Sequence, residues 1–202
     1  MANSNTQGFG LIPAGTVGST PSTQGQGKYY IEAADSDDLF QGCSVRMKLG
    51  YIVEASSTKT FATIGVFNGI FYNAATTLKP TWANWYDQPI TPANSENITC
   101  FVLDNPFQLF VGSASAAVTQ ANVGRTVSFT AAVPTGSEIS GQCSNTLNIG
   151  TIDDTLRQWR LIRSAEDPSN SDITAAYVSF VVAQNLGQYL MNIQTAGNDW
   201  TI

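Results

Sequence analysis

Histidine is absent from this chain of 202 residues. Without it there is no Ser-His-Asp or Cys-His catalytic group and no histidine-ligated metal. The three cysteines, Cys43, Cys100 and Cys143, are widely spaced and form no CxxC pair, so a structural zinc site lacks ligands. We expect them to be small buried hydrophobic residues. No GxSxG, P-loop or GxGxxG motif occurs, and no cofactor is expected.

Charged side chains are also scarce. They make up 12% of the chain, against a usual share of about 25%. The net charge is −6, the lysines are scattered and only Arg157, Arg160 and Arg163 lie close together, so nucleic-acid binding is not expected. Neutral polar residues take the place of charges. They suit a surface that lies against other protein, because desolvating them costs less than desolvating ions.

Long hydrophobic runs are missing as well. The longest apolar stretch, AAYVSFVVA at 175–183, is much shorter than the roughly 20 residues of a membrane-spanning helix. The N-terminus has no basic start followed by an apolar run, so no signal peptide is expected. These features predict a protein that is made in a cytoplasm and does not enter a membrane.

Residues 1–27 are uncharged and rich in glycine, serine, threonine, asparagine and glutamine. They show no helix or strand period, which predicts an extended N-terminal arm that does not fold alone. Phe9, Leu11, Ile12 and Pro13 interrupt this polar composition. We expect these four residues to contact a neighbouring protein, with the arm adding strand-like hydrogen bonds. The alternative is that the arm docks onto its own domain.

Residues 28–202 contain short β-branched and aromatic runs separated by turn signals, with hardly any helix signal. Such a pattern predicts an all-β domain, a small antiparallel β-barrel or sandwich. Gly65 and Gly69 interrupt one strand and suggest a bulge or a close backbone approach. One long half-buried strand is predicted by the alternating residues Val45, Met47, Leu49, Tyr51 and Val53.

A Pro/Trp-rich insert occupies about residues 74–96. Its prolines argue against a regular element, so a surface loop is predicted. Trp82, Trp85 and Tyr86 fall within five positions there. They are candidates to stack on a sugar or to anchor a protein partner. The alternative is that they pack over one end of the domain.

Carboxylates are the remaining route to an enzyme, as a glycosidase-type pair. The competing interpretation is that 35–38 and 153–154 are ordinary turns. A second group, Asp167, Asn170 and Asp172, offers oxygen ligands for Ca²⁺ but lacks the glycine and the acidic twelfth ligand of an EF-hand, which favours a turn. The candidates for the pair are Asp37, Asp38, Glu54, Asp87, Asp153 and Asp154.

An ordered set of features over most of the chain resembles the decoration (head-stabilising, or cement) proteins of tailed bacteriophages. The set begins with the glycine-rich GFGLIPAGTVGSTPSTQGQGKYYI. It continues with LFQGCSV, IGVFNGIFY and FVLDNPFQLFVGSAS, and ends with LRQWRLIRSAEDPSNSDITAAYVSFVVAQNLGQY. No single motif is specific, and the order of the parts carries the resemblance. The Trp-rich insert is where this chain departs from the pattern.

The resemblance implies a non-enzymatic virion protein on the outer face of an icosahedral capsid, where it clips adjacent major capsid protein subunits together. It also implies a homo-oligomer, a trimer or dimer at a symmetry axis, made in the bacterial host cytoplasm. The family has no cofactor and no catalytic residues to transfer. The alternative from the residues is a carbohydrate- or receptor-binding β module of a phage tail or surface protein, motivated by Trp82, Trp85 and Tyr86.

Overall fold

The computed structural model describes residues 3–18, 25–32, 35–55, 61–129, 135–153 and 157–189. They form antiparallel strands with two short 3-10 turns, Ala93–Ser95 and Gln120–Asn122. The predicted all-β class is confirmed. The strands are β1 Leu11–Thr16, β2 Gly27–Ile31, β3 Ser44–Lys48, β4 Tyr51–Glu54, β5 Gly65–Asn73, β6 Pro80–Ala83, β7 Ile98–Leu103, β8 Gln108–Ser113, β9 Thr126–Phe129, β10 Leu147–Asp153, β11 Trp159–Ser164 and β12 Ser179–Gln184.

The strands form two six-stranded sheets. The first sheet has the order β1-β8-β12-β11-β9-β10. The second has the order β2-β7-β5-β3-β4, and β6 pairs with the C-terminal half of β5. The edge strands β2 and β4 of the second sheet lie near each other but do not pair, so this sheet is curled and open. The fold is therefore a sandwich of two open sheets.

Each sheet has its own buried cluster. The first surrounds Trp159, whose ring is met edge-on by Phe110 at 5.5 Å and by Phe129 at 6.3 Å between centroids. Val66 of β5 and Leu103 of β7 reach into it from the second sheet. Edge-to-face aromatic contacts add about 0.5–1.5 kcal/mol each beyond the area they bury. The second cluster comprises Ile31, Leu39, Val45, Ile52, Ile64, Phe67, Ile70, Tyr86, Ile98, Cys100 and Val102.

A buried side-chain hydrogen bond also joins the two sheets. Gln184, at the end of β12, donates from Nε2 to the carbonyl oxygen of Thr63 at 2.7 Å and to its Oγ1 at 2.8 Å. Thr63 leads into β5 and is fully buried. Because a buried amide without partners is costly, this contact fixes how the first sheet sits on the segment before β5. The three cysteines are buried, as predicted, and none of them forms a disulfide.

The predicted long strand through Val45 and Val53 is wrong, because β3 and β4 form a hairpin. Leu49 and Gly50 make its two-residue turn, with φ of 50° and 89°. This turn shifts the side-chain alternation, so that Ile52 is fully buried instead of its neighbours. Two-residue hairpins of this kind usually carry asparagine, aspartate or glycine at the first position, so leucine gave no turn signal.

The insert at 74–96 is only partly a loop, so that prediction needs correction. Strand β6 begins at Pro80 and pairs with β5. Proline is tolerated at the first residue of a strand on a sheet edge, where its missing N–H costs nothing. The expectation for the two glycines is confirmed at both. At Gly69 the register between β5 and β7 shifts, and at Gly65 the backbone of Leu103 approaches so closely that a Cβ would clash with its carbonyl group.

Candidate binding surfaces

The N-terminal segment lies along its own domain. Strand β1 pairs with β8, and the side chain of Leu11 is buried in the first cluster. The N–H of Leu11 donates to the carbonyl oxygen of Gly42 at 2.9 Å. The arm is extended, as expected. However, we expected the arm to become ordered only on contact with a neighbouring protein. That expectation is wrong for residues 3–18, which dock onto their own domain. The rest of the predicted arm is described only at 25–27.

A glycine allows this docking. Gly10 has a φ of 72°, which side-chain-bearing residues rarely adopt. A Cβ there would lie 2.8 Å from the Cβ of Cys143 and 2.8 Å from the carbonyl oxygen of Gly42. The backbone can approach the domain this closely only without a side chain. Part of the glycine content that suggested a free arm therefore serves close contact.

The first described residues are tied to the turn before β12. Asn3 donates from Nδ2 to the carbonyl oxygen of Asp172 at 3.0 Å, and its Oδ1 accepts the N–H of Asp172 at 3.0 Å. The N–H of Asn5 donates to Oδ1 of Asn170 at 2.7 Å. The segment is thus held at both ends, by this turn and by β8.

The predicted turn interpretation of the Asp167 group is confirmed. The Asp167 carboxylate accepts the amide of Asn170 at 2.7 Å and the N–H of Ser169 at 3.0 Å. These bonds lower the pKa of Asp167 from its ordinary value, the Asn170 bond most of all. Among the described residues no group of three acidic or cysteine side chains is placed to hold a metal ion.

Strand β1 is the edge of the first sheet, and its free side is poorly suited to strand addition. The N–H of Leu11 points away from β8, toward Gly42, and alternation places position 13 on that same side. Pro13 has no N–H to offer, and the register is shifted between Pro13 and Gly15. Proline and bulges are how exposed strand edges resist pairing. A partner at this edge must therefore use side chains.

Three large apolar side chains project at this edge, and we call them the apolar edge: Ile12, Val17 and Phe107. Their exposed fractions are 46%, 49% and 60%. The N–H of Val17 donates to the carbonyl oxygen of Phe107 at 2.9 Å, which brings the two residues together. Of the arm residues predicted to bind a partner, Ile12 and Pro13 are exposed, Phe9 is half-buried and Leu11 is buried.

Trp82, Trp85 and Tyr86 do not form one site. Tyr86 is fully buried, and its hydroxyl donates to the carbonyl oxygen of Asp35 at 3.2 Å. Trp85 is half-buried and stacks on Phe40, with 5.4 Å between ring centroids and 4° between planes. Only Trp82 is strongly exposed, at 49%. The alternative, packing over the domain, therefore describes Trp85 and Tyr86.

Trp82 belongs to an exposed patch that the sequence did not predict. We call it the aromatic face: Tyr30, Phe71, Trp82 and Phe101, on the outer side of the second sheet. Trp82 is paired with Phe71, Phe71 with Thr99, and Thr99 with Tyr30, in one row across four strands. This row of aromatic residues could be recognised only once β6 was known to be a strand beside β5.

Among the carboxylates proposed for an enzyme, Glu54 and Asp37 lie near each other, and Asp38 is engaged by the backbone. Glu54 lies opposite Val45 in the β3–β4 hairpin, and burial, then Asp37, raises the pKa of Glu54 to about 7. Burial also raises the pKa of Asp35. Asp38 accepts the N–H of Gln88 at 3.1 Å, which is a structural role. The side chain of Asp153 and all of Asp154 lie outside the described residues.

The chain matches no protein-family model, no curated protein and no solved structure. In the ranges that the structure describes, none of the helical segments has the length and apolar character to cross a membrane.

Proposed function

We propose that this chain is a non-enzymatic decoration protein of a phage virion. It binds the outer face of an icosahedral capsid and holds adjacent major capsid protein subunits together, as a homo-oligomer. The resemblance of the ordered motifs supports this proposal. So does the apolar edge, the single structural observation that carries it, because Ile12 lies on the paired strand β1, and Val17 and Phe107, just outside the strands, are joined by a backbone hydrogen bond.

Rigid presentation favours binding. Fully burying a large apolar side chain is worth about 1.5–3 kcal/mol. Ile12, Val17 and Phe107 are already about half buried, so docking gains roughly half of that for each. Strand β1 is ordered before contact, so docking need not include the 2–5 kcal/mol that folding a free segment costs. Each copy still binds modestly, and a symmetric oligomer on a lattice multiplies that affinity by avidity.

The test uses capsids prepared without this protein, to which purified protein is added back. A triple variant carries Ile12→Ser, Val17→Ser and Phe107→Ser. We expect that it neither co-sediments with the capsids nor raises the temperature at which they release DNA. The matched control changes two exposed leucines that lie at hairpin turns outside the apolar edge, Leu49→Ser and Leu78→Ser. Their exposed fractions are 70% and 72%. The control is expected to bind as the unchanged protein does.

Equal capsid binding by the triple variant and the unchanged protein would exclude the apolar edge as the capsid-binding surface. Failure of the unchanged protein itself to bind would exclude the decoration function. Circular dichroism on each variant establishes that it is folded.

A further inference from the structure

We propose that the aromatic face is a binding site for a neutral polysaccharide, a function separate from capsid attachment. The row Trp82, Phe71, Thr99 and Tyr30 crosses four adjacent strands. At about 4.8 Å between strands, the row spans roughly 14 Å. The row lies on the face of a sheet, and such a surface suits a polysaccharide chain that binds along it.

All members of the aromatic face point away from the core. Their neighbours along each strand, Ile70, Cys100 and Ile31, are fully buried, and alternation in a strand places the next residue on the opposite side. Phe71, Trp82 and Tyr30 are 42%, 49% and 42% exposed. No described segment of the chain covers them.

Trp82 is held in place before any ligand arrives. Its six-membered ring lies over Gly69, where a Cβ would come within 2.8 Å of Cζ2. The indole also contacts the ring of Phe101, with 5.3 Å between centroids, and its Nε1–H donates to Oδ1 of Asn84 at 3.3 Å. The ring is therefore fixed on one side and open on the other. Such preorganisation removes the entropy cost of ordering the side chain upon binding.

The chemistry of the face suits a sugar. Its outward residues are aromatic rings, glycine, threonine and one lysine, with no aliphatic side chain among Lys28, Tyr30, Gly69, Phe71, Trp82, Thr99 and Phe101. The apolar edge, in contrast, is mostly aliphatic. An aromatic ring has a negative face that attracts the C–H groups of a pyranose ring. Thr99 and Asn84 supply neutral hydrogen-bonding groups for hydroxyls.

Charge decides which kind of sugar. The chain carries a net charge of −6, which repels acidic polysaccharides at long range. Lys28 is the one cation among the seven outward residues, and its Nζ lies 5.8 Å above the Tyr30 ring, where it is already engaged. We therefore assign a neutral polysaccharide to this face. The face is not a concave pocket, so single-site affinity is low, and several copies on one particle increase it.

The test is affinity electrophoresis of the full chain in gels that contain dextran, a soluble β-glucan or a galactomannan, with alginate as the acidic control. At least one neutral polysaccharide is expected to retard the unchanged protein. Trp82→Ala is expected to weaken that retardation about tenfold or more, because it removes the most exposed ring of the aromatic face. Trp82→Phe keeps a ring and is expected to retain most of the binding.

Phe71→Ala serves as a second variant where Trp82→Ala fails to fold, and it is also expected to weaken retardation. Ile139→Ala is the matched control, because it removes a fully exposed apolar side chain outside both the aromatic face and the apolar edge, and it is expected to leave the retardation unchanged. The proposal is overturned by any of three results: no neutral polysaccharide retards the protein, Trp82→Ala behaves like the unchanged chain, or alginate retards it as strongly. Loss of capsid binding in Trp82→Ala without any polysaccharide binding would assign the face to protein instead. Capsid binding by the unchanged protein is measured separately, so the two proposals fail independently.

Discussion

The backbone N–H of Leu11 donates a 2.9 Å hydrogen bond to the carbonyl oxygen of Gly42. This bond joins the edge strand of the first sheet to the segment that leads into β3 of the second. Leu11 also places its side chain in the first buried cluster. The N-terminal strand is therefore part of the folded domain, which has consequences for stability as well as for binding.

Leu11→Ala is expected to lower the free energy of unfolding by about 2–5 kcal/mol, because it removes a buried side chain and leaves a cavity. Ile12→Ala, one residue along the same strand, is expected to cost far less, since Ile12 is 46% exposed. Urea unfolding followed by fluorescence measures both changes. A similar small loss in both variants would show that β1 is not part of the cooperative fold in solution.

The free energy of unfolding is expected to fall as pH rises from about 5 to 8. Burial, then Asp37, raises the pKa of Glu54 from its ordinary value of 4.5 to about 7 in the folded state. The folded chain then binds this proton more tightly than the unfolded chain, so stability from this group is present below pH 4.5 and is lost as pH rises toward 7 and above. Glu54 is half-buried and solvent still screens it in part, so we expect an effect on the order of 1 kcal/mol.

Glu54→Gln is expected to flatten this dependence, because the amide stays neutral at every pH. Glu138→Gln is the control, since Glu138 is exposed. Chemical unfolding at pH 5, 6, 7 and 8 for the three proteins makes the comparison. If the unfolding free energy of Glu54→Gln falls with pH as steeply as that of the unchanged chain, Glu54 is not the group responsible.

The fold class followed from composition and pattern, because short strand-forming runs separated by turn residues specify β structure locally. Asp104-Asn105-Pro106, which lies between two apolar runs, is a sequence typical of a turn, and the chain turns there. Oδ1 of Asn105 accepts the N–H of Phe107 at 2.9 Å, a contact within three residues that sequence spacing reveals. Where structure depends on contacts between distant residues, prediction from the sequence failed.

The binding surfaces show this limit. Phe71 and Tyr30 looked like ordinary strand residues, and only the pairing of β5 with β6 and of β7 with β2 places them in one row with Trp82. Glycines in the N-terminal segment suggested freedom, although Gly10 is required for close approach to Cys143. Local composition does not distinguish a flexible glycine from one that a neighbouring chain segment demands.

Gly69→Ala is expected to displace Trp82 and destabilise the domain. Gly69 has a φ of 143°, and an added Cβ would lie 2.8 Å from Cζ2 of Trp82 and 2.8 Å from the carbonyl oxygen of Ala83. The substitution thus adds a steric conflict to the backbone strain of positive φ, and we expect a loss of about 1–3 kcal/mol. Gly15→Ala isolates the strain, because Gly15 has a φ of 151° and no atom within 4 Å of the added Cβ.

The measurements are urea unfolding and acrylamide quenching of tryptophan fluorescence. Gly69→Ala is expected to lose more stability than Gly15→Ala and to increase quenching, since Trp82 moves off the sheet and exposes its second face. Gly15→Ala is expected to leave quenching unchanged. Equal losses in both variants, with unaltered quenching, would mean that the Trp82 ring does not rest on Gly69. The preorganised stacking surface, on which polysaccharide binding by the aromatic face depends, would then be absent.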